Sequence, residues 1–548
     1  MLKRLMNLVV VCCFTLPLYA ADAEYDVVIR SGRVLDGGGN PWVPADVAIK
    51  DGVIVKVGDV AGHGVREIDA TGKYVSPGWI DMMDQSGEAL RKVGLAPNKI
   101  NMGVTTLIGG EGGTPVEAKE IDAYFSELET KGISVNFGTY YSATQARVAV
   151  LGDGSDDPTP AQLEEMKKLA SMAMDAGAMG ITTALIYPPS AYHKTESLIE
   201  LARVAGASGG LYASHIRGES AEFLDAVKEA IRIGEEGGAG VEIFHLKAAY
   251  YPNWGKDMKA AIELIDAARA RGVNVAADLY PYVAGGTGLE VTAPNWVYAD
   301  GIEKALERLR DPAIRLQLKE EIKAGPRPDW TNLVYVSGGW KNVVLANSHL
   351  EEYARFHNKN FQEIAADLGR DPADVAWDIM LAAYPERPFA LYFMMSEDDV
   401  RTAMKAPWTS IGSDAASALK EGDFDALGLP HPRSYGTFPR IIAHYVRDEG
   451  VLSLADAIRK MTSWPAARMG LSNRGLIKEG LQADITIFDL DKIDDTASWD
   501  NPTAKPLGID YVLVNGGIVL DAGHHTGATP GKVLRGPGYK QVTAVNKD

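Results

Sequence analysis

His215 and His245 lie thirty residues apart, and each closes a short apolar run, in GGLYASH and GVEIFH. Neutral imidazole is a common nitrogen donor for zinc. Glu111 follows the apolar run Val104 to Ile108 in GGEGG, where glycines on both sides let backbone and ligand approach closely. Two histidines and a carboxylate complete a three-ligand zinc site with one position open for water. Asp414 closes the run WTSIGSD. A carboxylate beside such a water can take its proton and pass it to a leaving amine. Singly, each residue has a bland reading: a structural histidine, a polar loop residue, a helix N-cap. Their shared place at the ends of apolar runs is what favours a site, because a parallel barrel presents its chemistry on one rim.

Five further residues fit the binding of a substrate carboxylate. Lys247 stands two residues past His245 and shares its face if the strand continues. Tyr280 and Tyr282 share parity in DLYPY, Arg433 lies in HPRSYGTFPR, and Arg217 lies in HIRGE. Arginine matches a carboxylate in a bidentate fork. Each alone reads as a surface charge or a core tyrosine; together they indicate a small-molecule substrate with a carboxylate.

The elements that must position these residues form an α/β pattern. DVVIRSGRVLDG, ADVAIKDGVIVKVGDV and KYVSPG alternate apolar and polar residues, as strands do. From about Trp79, short apolar runs alternate with amphipathic segments, which implies a parallel sheet. Val104 to Ile108, Ile181 to Tyr187, Leu211 to His215, Val241 to His245 and Val273 to Tyr280 are the expected strands. About 130 residues separate the Leu279 strand from the Ile411 strand, more than one crossover needs. A helical insertion containing GIEKALERLRDPAIRLQLKEEIKAG covers part of that gap, as a lid or as a solvated side domain. GLIKEGLQADITIFDL and IDYVLVNGGIVLDAG return to β. The expected layout is therefore a small β-sandwich built from 21–76 and 479–548, and a barrel over 77–478 interrupted around 290–400.

The 548 residues are too many for one core, and the composition, 46% hydrophobic and 23% charged, is ordinary for globular proteins. A net charge of −18 argues against nucleic acid or an anionic membrane as the main partner. It leaves a homo-oligomer open. Residues 1–20 have the layout of a cleaved export signal: Lys3 and Arg4, an apolar stretch from Leu8 to Leu18, and the small-residue site Leu18-Tyr19-Ala20. The apolar run is short for a membrane anchor, which takes roughly 20 residues. Val11 before Cys12 argues against a lipoprotein. A periplasmic or secreted protein is expected. Both cysteines, Cys12 and Cys13, fall inside this segment. The mature chain then lacks thiolate ligands, and a metal must be held by nitrogen and oxygen.

Taken together, SPGWIDM, GVTT, TPAQLEEMKKLASMAMDAGAMGITTALIYPPSAYHKTESLIELA, YASHIRGE, HLKAA, DLYPY, GSD, HPRSYGTFPR, ADITIFD and VNGGIVL resemble the N-acyl-D-amino-acid deacylase branch of the amidohydrolase superfamily. The resemblance runs from about residue 26 to 536. It implies a distorted (β/α)8 TIM barrel, a β-sandwich from both termini, and zinc-dependent amide hydrolysis. It carries His215 and His245 over as zinc ligands, Asp414 as general acid/base, and Lys247, a DLYPY tyrosine and Arg433 as carboxylate binders. Two positions depart from the family pattern. Met83 and Gln85 stand where the first strand usually ends in a His-x-His pair, and a thioether and an amide are poor zinc ligands. Glu111 stands where the family has a bridging cysteine. The expectation is one zinc per chain, held by Glu111, His215 and His245. Two other readings stay open: hydrolysis of a cyclic amide or dipeptide, and a degenerate, metal-free binding protein.

Overall fold

The computed structural model describes residues 23–419 and 430–540. The expected export signal and both cysteines lie outside the described residues.

Eight parallel strands form the barrel. In chain order they are Trp79–Asp84, Val104–Gly109, Asn136–Thr139 with its continuation Tyr141–Ser142, Gly180–Ala184, Leu211–His215, Gly240–Ile243, Val275–Leu279 and Thr409–Ile411. Every residue of the first, second, fifth and seventh strands is buried. Parallel strands covered on both faces read as near-continuous apolar runs for this reason. The third strand breaks at Tyr140, whose N–H donates to Gly109 O at 3.0 Å. The break splits the barrel into a three-stranded and a six-stranded parallel sheet. Closure comes from the first and last strands: Asp414 N–H donates to Met83 O at 2.8 Å, and Gln85 N–H to Ala415 O at 3.1 Å.

The outer helices begin where the sequence supplies caps. Helix Pro160–Asp175 opens with a capping box between Thr159 and Gln162 and has proline at its first turn. Helix Phe223–Gly237 ends at Gly238 in the left-handed region, φ 68°.

The two chain ends build one body. Ile485–Phe488 pairs antiparallel with Tyr74–Pro77 and joins five early strands to four late ones in a nine-stranded sheet. That sheet has its own apolar core, including Ile29, Ile49, Ile54, Ile485 and Leu513.

The segment between the seventh and eighth barrel strands contains the expected helices, Ile302–Arg310 and Pro312–Ala324, and more besides. It carries an antiparallel sheet, Ala284–Gly288, Phe389–Phe393 and Val343–Asn347, beside helices such as Ile302–Arg310 and Pro372–Ala383. Ala284–Gly288 has the sequence AGGTG, which lacks the β-branched signature of a strand, and it begins ahead of residue 290.

Candidate metal centre and active site

Three strand ends deliver the donors. His215 is the last residue of the fifth strand. The sixth strand stops at Ile243, and His245 follows with φ 36°, its N–H donating to Asp278 Oδ1 at 2.8 Å. A non-glycine residue in the left-handed region costs on the order of 1–3 kcal/mol and persists where its surroundings over-determine it. Glu111 lies two residues past the second strand. Gly110 makes the turn with φ 100°, and a Cβ there would meet Thr139 Oγ1 at 2.8 Å and Gly113 O at 2.9 Å. Thr182 Oγ1 donates to the Glu111 carbonyl at 3.2 Å.

The donors converge. Glu111 Oε1 lies 2.8 Å from His215 Nδ1 and 3.5 Å from His245 Nε2. The two imidazoles are 4.4 Å apart and nearly perpendicular, at 84°. One atom from each of the three residues fits within a 4.8 Å group. Two imidazoles and a carboxylate suit zinc, and Glu111 can take the place of a thiolate. The metal-free binding-protein reading gains nothing from so complete a donor set.

Glu219 was missed in the sequence. Its Oε1 accepts from Lys247 Nζ at 2.6 Å and lies 3.2 Å from His245 Nδ1 and 3.4 Å from His215 Nε2. One buried carboxylate oxygen thus faces the outer nitrogens of both candidate ligands and fixes which ring nitrogen points inward. Its only sequence signal is an acidic residue four positions past His215, and burial of a charge is not written in its neighbours.

The buried charges hold one another. Burial alone pushes the Glu111 carboxyl up, but hydrogen bonds with His215 and His245 bring it well below its ordinary value. Burial pushes Glu219 up too, and His215, Lys247 and His245 outweigh it. For His215, burial acts downward, and the Glu219 and Glu111 carboxylates reverse it and raise the imidazole to about 9.

Asp414, three residues past the eighth strand, has φ 49°. Its Oδ2 lies 2.8 Å from Arg433 Nη1, and its Oδ1 accepts from Gln85 Nε2 at 3.3 Å. Lys247 does reach the site, with Nζ 2.6 Å from His245 Nδ1. The turn after Ile243 brings it there, since the strand does not continue as strand parity required. The Arg433 guanidinium lies 4.6 Å over the ring of Tyr280, so both occupy the same wall.

Two candidates are not brought to the site. Arg217 turns away once the strand ends at His215; its guanidinium is taken by Glu229 at 2.8 Å and by the carbonyls of Ala191 and His193. Tyr282 is buried behind the site, its ring 5.2 Å from His431 and 5.1 Å from the Arg440 guanidinium. Proline at 281 bends DLYPY, so alternation does not hold across it.

A cavity of about 450 Å³ opens over these groups. Glu111, His215, His245, Lys247, Tyr280, Asp414 and Arg433 line its floor. Leu333, Phe389, Tyr392 and Met394 come from the insertion, which therefore supplies a wall of the cavity. The amidohydrolase family model matches residues 66–520.

The chain belongs to the amidohydrolase family.

This amidohydrolase is 31% identical to D-aminoacylase of Alcaligenes xylosoxydans xylosoxydans over 538 residues, covering 93% of this chain and 97% of the relative. A solved N-acyl-D-glutamate deacylase from Bordetella bronchiseptica, complexed with zinc and a phosphonate mimic of the tetrahedral intermediate, superposes with a TM-score of 0.76. It is 29% identical, and the match covers 93% of this chain and 99% of that one. A D-aminoacylase structure concerned with a binuclear metal center, one-metal activation and second-metal attenuation, gives a TM-score of 0.76 at 31% identity, covering 93% and 100%. Among the described residues, no helix of this amidohydrolase is long and apolar enough to cross a membrane.

Proposed function

We propose that the protein hydrolyses the amide bond of an N-acyl-D-amino acid or a related small amide bearing a free carboxylate. The observation that carries this reading is the convergence of Glu111, His215 and His245 in one cavity with Asp414, Lys247 and Arg433. Glu111, His215 and His245 would hold one zinc per chain, which would supply Lewis acidity to a carbonyl and to a water.

The remaining residues handle binding and the proton. Lys247 and Arg433 hold the substrate carboxylate, which fixes the scissile bond relative to Asp414. The Asp414 carboxylate takes a proton from the attacking water as its oxygen bonds to the carbonyl carbon. Asp414 then gives that proton to the amide nitrogen as the carbon–nitrogen bond breaks. The products are a carboxylic acid and a free D-amino acid. Leu333, Phe389, Tyr392 and Met394 exclude water from one side of the cavity and face the substrate's apolar parts.

The layout of residues 1–20 supports export to the periplasm or outside the cell. N-terminal sequencing of the protein from fractionated cells tests that: a start near Ala21 supports it, and an intact Met1 in the cytoplasm ends it. For the reaction, purified protein loaded with zinc is assayed on matched D- and L-configured acyl amino acids and dipeptides for free amine, and on hydantoins for the ring-opened carbamoyl acid. Release from the D-acyl compounds is expected, and Asp414→Asn should remove it with zinc content near normal. Turnover of hydantoins alone would overturn the reading.

A further inference from the structure

Gln85 follows the first barrel strand directly, with a side chain that binds no zinc yet points into the site. Its Nε2 lies 2.8 Å from Glu111 Oε2 and 3.3 Å from Asp414 Oδ1. An amide nitrogen carries two hydrogens, so it can donate to both oxygens at once. The two carboxylates it joins are the candidate zinc ligand and the candidate base. Each uses its other oxygen elsewhere: Glu111 Oε1 faces the histidines, and Asp414 Oδ2 faces Arg433. Two carboxylates this close repel unless a donor or a cation lies between them.

The first strand supplies no further metal donor to that place. Met83, two residues earlier, is buried in an apolar cluster with Ile80, Ile108 and Phe244. It offers only a thioether. No imidazole remains on the first strand, and a second zinc would have to displace the Gln85 amide from both of its acceptors.

We propose that Gln85 is a positioning residue whose amide fills the bridging place between Glu111 and Asp414, so that the centre takes one zinc and no more. This rests on the metal-site reading above and adds a regulatory consequence. A solved D-aminoacylase is described in terms of second-metal attenuation. This chain has no place for such an attenuating ion, and excess zinc leaves its turnover intact. The amide also holds Asp414 at a fixed distance from the zinc ligand set, which orients the base for the water it must deprotonate.

The test counts metal as well as rate. Protein stripped with a chelator is titrated with zinc into large excess, desalted, and analysed by mass spectrometry for zinc per chain. The wild type should stop at one zinc and keep its rate in excess zinc. Gln85→Glu, which puts a third carboxylate beside the other two, and Met83→His/Gln85→His should each take up a second ion; in cobalt-loaded protein this appears as added visible absorbance. Gln85→Leu should keep one zinc and its KM while kcat falls roughly 10- to 100-fold. Circular dichroism confirms that each variant is folded. A wild type that binds two zincs in the site, or that slows in excess zinc, overturns the proposal even if every variant fails to fold. So does Gln85→Leu with wild-type kcat. If instead the wild type binds no zinc and hydrolyses nothing, the proposed function itself has failed.

Discussion

Arg433 Nη1 lies 2.8 Å from Asp414 Oδ2, so the expected carboxylate binder and the expected base are bound to each other. Both side chains are largely buried, and the guanidinium stacks on Tyr280. Arg433 therefore has two tasks: it keeps a positive charge beside Asp414, and it presents its remaining N–H groups to a substrate carboxylate.

Arg433→Lys should raise KM and lower kcat together. A lysine is a point charge without the planar fork and cannot serve two carboxylates in fixed geometry. The expected loss in kcat/KM is about 2–4 kcal/mol, roughly 30- to 1000-fold, since a buried charge-assisted pair is broken. The control is an acyl amine that lacks the carboxylate: its rate should fall only by the part that acts through Asp414. Equal losses on both substrates would show that Arg433 has no contact with the carboxylate.

Glu219→Gln keeps the shape of the side chain and removes its charge. An amide oxygen can still accept, but the attraction toward His215, His245 and Lys247 is lost. Changes to such partners of metal ligands typically cost about 10- to 100-fold in metal affinity. Competition with a chromogenic chelator measures it. Zinc affinity equal to wild type would reduce Glu219 to a partner of Lys247 alone.

Zinc affinity should rise with pH up to about 9 and then level off, because His215 is raised to about 9 in the metal-free protein. Zinc binds the neutral ring, so below that pH each binding event must release the proton that Glu219 and Glu111 help to hold. The slope expected for one released proton is about tenfold per pH unit. Isothermal titration in buffers of differing ionisation enthalpy counts the proton directly. A flat profile between pH 6 and about 9 would place the proton elsewhere.

Lys99 holds the barrel closed beneath the site. Its ammonium is fully buried, 2.9 Å from both Asp81 and Asp84, and donates to Ser413 Oγ and Ala415 O at 2.7 Å. Burial pulls the ammonium's pKa down, and the two aspartates hold it above its ordinary value. Lys99→Met leaves two buried carboxylates without a cation and should cost about 3–5 kcal/mol of stability. Thermal unfolding by calorimetry reads this out, and an unchanged melting temperature would mean that the aspartates find other partners.

Much of the site was legible because each signal was local. His215 and His245 close apolar runs, Glu111 stands between glycines, and Asp414 follows a short strand. These patterns arise from parallel strands that are buried on both faces and exposed only at their ends. Lys247 was found by an argument from strand parity that fails in detail, since a turn with positive φ carries it to the site. Tyr282 was misplaced by the same argument, because alternation stops where the strand stops at Leu279. Arg217 was chosen for its guanidinium alone, and Glu229 takes that guanidinium away from the site.

The sequence by itself determined the α/β order, the donor types, and the loss of the first-strand histidines. Tertiary structure alone decided which polar groups share a space. Glu219 and Gln85 became part of the site because a closed barrel brings the ends of distant strands within a few ångströms, while the chain between them carries no trace of that distance. The same closure bound Arg433 to Asp414 across the rim. Burial makes each such pairing strong, and only the folded arrangement says which partner a buried charge has found.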